Sequence, residues 1–212
     1  MQKTGLETAW EKIRELAGSG GDLSRIPGIP FEAGVYRFRC LGMDFLIRPA
    51  DETIRARDER GEAFLSRFSY FFNHFSLWWL VRSSRGIPQA TSAFVRPGGL
   101  AAAGAFSFFR GSHTLPLEGL AGRYRTDKEG FIERARALGG TLGKAAGPAG
   151  TADISVLLEP APGLPVNILL WLEDEEFPAR AEVLVPSWTG VILPLDIVWC
   201  ALMLCLLTMF SQ

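Results

Sequence analysis

Four carboxylates stand in a row at Glu173, Asp174, Glu175 and Glu176, with Phe177 and Pro178 directly after them. Like charges this close repel, so they persist where water screens them or where a cation or basic partner does. A solvated turn is the commoner setting for such a run. The chemical alternatives are proton transfer and coordination of a hard cation, with Asp174, Glu175 and Glu176 as the candidate groups. Phe177 beside them would give one carboxyl a less watery environment and raise its pKa. Trp171 and Phe177, which flank the acids, are the candidate cofactor contacts, although no residue type here specifies a cofactor. His113 is the second candidate for chemistry, because it lies in the polar break Arg110-Gly-Ser-His-Thr-Leu-Pro116 and loops carry functional groups more often than cores do. His74, the other histidine, has no second His or Cys three or four residues on, so no metal set is assigned.

Two apolar strands must position the acids. Val166, Ile168, Leu170 and Leu172 alternate with Asn167, Leu169 and Trp171, a period of two with both sides largely apolar. The return stretch repeats it more weakly, with Ala181, Val183 and Val185 against Arg180, Glu182 and Leu184. Pro178 cannot donate to a ladder and belongs at the connection. Upstream, Ile154, Val156 and Leu158 alternate into a further strand, turned by Pro160-Ala-Pro-Gly163. Three consecutive strands with short connections predict an antiparallel meander over residues 152–186.

The remaining chain supplies helices and a second sheet. Thr4 to Leu16 carries Leu6, Trp10, Ile13 and Leu16 at helical spacing, with Thr4 and Glu7 placed for a capping box, giving an N-terminal helix within residues 1–25. Ile26-Pro-Gly-Ile-Pro30 is a loop. Val35–Cys40 and Phe45–Arg48 form a hairpin across Leu41-Gly-Met-Asp44, with a third short strand near Thr53–Arg55, all within 33–58. Arg37 and Arg39 on one face are placed to meet the acidic tip near Asp174. Glu62–Val81 is the longest helix, with Phe64, Phe68, Phe71, Phe72, Phe75, Trp78 and Trp79 as a broad aromatic core face. It opens a helical section over 60–140, which includes helices at Leu117–Tyr124 and at Asp127–Leu138, the latter capped by Thr126. Thr141–Thr151 reads as a flexible surface loop. Ile197–Phe210 carries no charge but falls short of the roughly 20 residues a membrane span needs. It is a terminal helix over 194–210 with Asp196 as N-cap, buried or docked on a partner chain.

Length and composition bound the rest. A chain of 212 residues with 48% hydrophobic and 21% charged content is long enough, and apolar enough, for one globular domain. The predicted class is α+β: a mainly antiparallel sheet, with an N-terminal hairpin and a C-terminal meander, packed against several helices. Net charge is −1, so no global field draws nucleic acid. Cys40, Cys200 and Cys205 are too few and scattered for a disulfide framework, and no basic-then-apolar leader opens the chain, so a cytoplasmic location is expected.

One resemblance bears on function. An apolar strand ending in Trp171, then Asp174-Glu-Glu-Phe-Pro-Ala179, then Glu182-Val-Leu184, resembles an uncharacterised domain-of-unknown-function family, DUF3786, of anaerobic bacteria and archaea. The order long helix, Gly86-Ile-Pro88, short apolar piece, Gly98-Gly99 turn and Phe108-Phe109 pair is similar as well. Relatives usually continue into Leu-Phe-Asp and Leu-Pro-Thr-Glu-Asp, where this chain has Leu184-Val-Pro186 and Leu193-Pro-Leu-Asp196. Some carry an appended four-cysteine iron–sulfur module and are associated with corrinoid one-carbon metabolism; that module has no counterpart in these residues. The resemblance implies an accessory or binding module with a protein partner or small cofactor. The rivals are a metal- or acid/base-dependent enzyme using residues 173–176 with His113, and a subunit docked or oligomerised through residues 197–210.

Overall fold

A computed structural model describes residues 5–18, 26–88, 93–144, 146–147 and 150–210. The architecture is α+β, with two main antiparallel sheets, a two-stranded ribbon and seven α-helices among the described residues. After helix α1 (Gly5–Gly18) come β1 (Phe31–Glu32), β2 (Val35–Cys40), β3 (Met43–Arg48) and β4 (Thr53–Ala56), paired in that order. The sheet thus starts two residues before the predicted span of 33–58, because Phe31 and Glu32 pair with Tyr36 and Val35. The β2–β3 turn is the two-residue Leu41-Gly42, both at positive φ (49° and 73°), rather than a four-residue turn. That left-handed pair matches the twist of a tight hairpin. Gly42 is also where the hairpin crosses the end of α5 (Lys128–Ala137): an added Cβ would lie 3.2 Å from the Gly139 nitrogen.

The aromatic helix, α2 (Glu59–Ser83), begins at its cap, Asp58, whose carboxylate accepts from the Gly61 amide at 2.7 Å. Phe64, Phe68, Phe72 and Phe75 are buried on the first sheet, and Phe72 sits 4.3 Å from Phe45 and 5.8 Å from Phe38 by ring centroids. A four-residue repeat of rings places them along one stripe of the helix, which is why the stripe is core.

The second sheet runs β5 (Phe94–Val95), β11 (Arg180–Pro186), β10 (Leu164–Trp171), β9 (Ile154–Ala161), β6 (Thr141–Leu142). Its centre is the predicted meander, with Ile168 opposite Val183 and Val156. Thr141–Thr151 is not a plain loop. Thr141 and Leu142 extend the sheet against Leu157 and Val156, and β7 (Ala146–Gly147) pairs with β8 (Gly150–Thr151). The alternation that marks longer strands is invisible in two-residue strands rich in glycine and alanine. Inside, Ser155 Oγ donates to Asn167 Oδ1 at 2.6 Å, so the one buried amide of the central strand has its partner across the ladder.

Between the sheets' chain segments lie α3 (Ala105–Phe108) and α4 (Leu117–Arg123), and the chain continues through α6 (Thr189–Ile192) into α7 (Leu195–Phe210). Two caps differ from expectation. Asp127, not Thr126, caps α5 by accepting from Gly130 N at 2.9 Å, because Asp127 stands three residues before that amide, where an N-cap side chain reaches it. Asp196 lies inside the first turn of α7, and the Pro194 carbonyl instead accepts from Ile197 N and Val198 N. The Thr4 cap falls outside the described residues. Leu202, Leu204, Cys205, Leu206 and Met209 of α7 are buried in a core shared with both sheets and with α1, α2, α4 and α5. Among the described residues, no helix is long and apolar enough to cross a membrane.

Candidate functional site

The free end of the meander carries the candidate residues. β10 and β11 diverge after the pair Trp171–Arg180, and residues 172–179 form the connection. Register makes Arg180 the direct cross-strand neighbour of Trp171, and its guanidinium carbon lies 4.0 Å from the indole centroid. Such a contact contributes about 0.5–1 kcal/mol at an exposed site. Trp171 Nε1 donates to the Thr151 carbonyl at 2.9 Å, which fixes the ring's rotation. Ala152, Leu169, Leu184 and Phe94 pack beneath the same ring, on the outer face of the sheet.

Asp174 builds the turn itself. Its Oδ1 accepts from the amides of Glu176 (2.9 Å) and Phe177 (2.7 Å), and its own amide donates to the Phe177 carbonyl. An aspartate closing its own backbone two and three residues on is the usual reason for one at such a position. Asp153, just before β9, accepts from Leu172 N at 2.8 Å through Oδ2. Each of these carboxylates therefore keeps one oxygen, Oδ2 of Asp174 and Oδ1 of Asp153, outside its backbone bonds. Asp153, Trp171, Asp174, Phe177 and Arg180 line a cleft of about 520 Å³. That volume lies within the range of small-molecule sites. Two carboxylates, one guanidinium and two rings suit a planar, partly apolar group with polar edges. Among the described residues lining the cleft there is no Ser, Thr, Cys, Lys or His; its ionisable side chains are Asp153, Asp174 and Arg180.

The structure thus gathers Asp174, Trp171 and Phe177, and separates the other candidates from them. Glu175 and Glu176 are exposed and do not line the cleft. Phe177 is 66% exposed, so it does not dry the carboxylates, contrary to expectation. Arg37 does not reach the tip either. It pairs with Glu32 at 3.1 Å, while Glu173 faces Arg125 at 3.9 Å. Surface pairs of this kind contribute little. Among the described residues, no group of three or more His, Cys, Asp or Glu is arranged to hold a metal. His113 lies elsewhere, stacked on Phe108 at 3.9 Å between centroids and edge-on to Trp199 at 5.0 Å. His74 donates from Nδ1 to the Tyr70 carbonyl, 2.8 Å away, as a helical residue bonding four positions back. Asp153 and Arg180 were not singled out from sequence. The signal for Arg180 is positional, since it is the residue that meets Trp171 once the hairpin register is set. Asp153 has no local signal, because Leu172 reaches it only through the fold.

With that geometry in place, comparison with protein families matches residues 21–206 to the family described as a domain of unknown function, DUF3786. Comparison with curated proteins and with solved structures found no match.

Proposed function

The chain belongs to this domain-of-unknown-function family, and from that premise we propose that it is an accessory module that binds a ligand rather than transforming one. The observation that carries this reading is the cleft at the end of the meander, with an indole wall pinned by Thr151 and Arg180 and two exposed carboxylates each held through one oxygen by backbone amides. The setting belongs to the proposal too: corrinoid or one-carbon metabolism in an anaerobe, in a reducing cytoplasm. It is supported by the resemblance of residues 164–185 and by three buried cysteines, all free. A cleft of about 520 Å³ admits one or two fused rings. A corrinoid would therefore enter by its planar benzimidazole base, with the macrocycle outside.

Titration of the chain with 5,6-dimethylbenzimidazole and with cyanocobalamin, followed by tryptophan fluorescence, tests this. Cobinamide, which lacks the base, is the control. Saturable quenching by the first two, absent with cobinamide and lost in Trp171→Ala, is expected. The same response in Trp171→Ala, or none in the wild type, contradicts the reading.

A second reading rests on the apex itself. Glu175, Glu176 and the 66%-exposed Phe177 present an acidic and apolar point suited to a basic protein partner. Docking through residues 197–210 gains no such support, since most of α7 is buried against its own chain.

A further inference from the structure

A different cluster lies at the opposite kind of surface, where α2 passes the ends of α5 and α7. Arg60 and Arg67 from α2 and Arg134 from α5 line a pocket of about 290 Å³ whose apolar walls are Phe64, Phe68 and Leu138. No Asp or Glu among the described residues lines it. Among the described residues, no carboxylate forms an ion pair with any of the three arginines. What holds them is helix carbonyls. Arg134 donates from Nε (2.8 Å) and Nη2 (2.7 Å) to Thr208 O, and Arg60 donates from Nη2 to Ala137 O. Arg67 lies over the Phe68 ring at 5.4 Å.

The charges do not cancel. Two helix C-termini supply roughly −0.5 each, about −1 in all, against three guanidinium charges. Counting the described residues, about +2 is left in a half-enclosed site. Burial holds the Arg134 guanidinium below its usual range, and its like-charged neighbours Arg60, Arg123 and Arg67 push the same way. Donors are also left over: Nη1 of Arg134, Nε and Nη1 of Arg60, and the whole fork of Arg67 have no acceptor among the described residues.

We propose that this pocket is an oxyanion site for a small phosphate monoester, held at its phosphoryl group by Arg60, Arg67 and Arg134 with its organic part against Phe64 and Phe68. A monoester carries about −1.5 to −2 near pH 7 and matches the excess, whereas a single carboxylate leaves about one charge unanswered. The planar guanidinium fork suits phosphate oxygens two at a time. The volume sits at the lower end for ligand sites, which limits the organic part to about one ring. This site is independent of the cleft at the end of the meander.

The test is isothermal titration of the chain, in phosphate-free buffer at low ionic strength, with phenyl phosphate, inorganic phosphate and benzoate. Saturable one-to-one binding of phenyl phosphate, tighter than either of the others, is expected. Arg67→Gln should weaken it about tenfold or more, since it removes charge-assisted bonds. Arg67 is the side chain of choice because it bonds no backbone group here, so the fold stands without it. Arg39→Gln, on the first sheet, should leave the affinity unchanged. The proposal fails if phenyl phosphate does not saturate, if benzoate binds as well, if Arg67→Gln has no effect, or if Arg39→Gln weakens binding equally.

Discussion

Single side chains decide more than their neighbours suggest. Asp174 looked like one of four equivalent acids, but only it closes the turn with its own carboxylate and lines the cleft. The cysteines make the clearest residue-scale prediction. Burial raises the thiols of Cys40 and Cys205 well above the ordinary value and that of Cys200 to about 12. The unfolded chain would lose those protons near 9.0, the folded chain only higher. Above that point the unfolded state binds fewer protons, so stability falls with rising pH. The thiol contribution is complete below about 9 and is lost as pH climbs toward about 12. Tyr36, also raised by burial to about 12 from 10.0, adds to the decline at the upper end. Urea midpoints at pH 8 and pH 10 should show the drop, and Cys200→Ala should make it shallower. A flat profile would contradict the burial of these thiols.

Elements show which parts of the fold were legible. The period-two run from Val166 to Leu172 and the aromatic stripe of α2 declared themselves, because a strand or helix with a long buried face must repeat its apolar residues at the element's own period. Two-residue strands cannot repeat anything, so β6, β7 and β8 vanished into an Ala/Gly-rich stretch. The cap positions differ from the expected ones by one or two residues, where Thr126 and Asp127 are adjacent and Pro194 and Asp196 stand two apart. In the site, Trp171 and Phe177 announced themselves by type, whereas Arg180 and Asp153 arrive through register and tertiary packing, which local pattern does not contain. The arginine pocket is hidden for the same reason, since residues 60, 67 and 134 converge only where α2 passes the end of α5. At this scale the prediction concerns Phe72, fully buried between Phe45, Phe38 and Phe64. Phe72→Ala leaves a cavity where α2 meets the first sheet and should cost about 3–5 kcal/mol in chemical denaturation. A loss under about 1 kcal/mol would mean that α2 does not rest on that sheet.

For the molecule as a whole, one core joins two sheets through the α2–α7 pair, and the sheets themselves touch where Leu41 N donates to the Glu159 carbonyl at 3.1 Å. The end of the meander projects from that core as a rigid frame with an aqueous, acidic apex, and the cleft beside it has walls fixed by backbone bonds rather than by side-chain packing alone. A preformed site of this kind loses little freedom when a ligand enters. The decisive measurement is a ¹⁵N-labelled titration with 5,6-dimethylbenzimidazole that follows the Trp171 indole N–H. The account predicts shifts confined to that resonance and to the amides of Leu172, Asp174, Phe177 and Arg180. Shifts spread over α7 or the first sheet with Trp171 unmoved, or none at saturating probe, would contradict it.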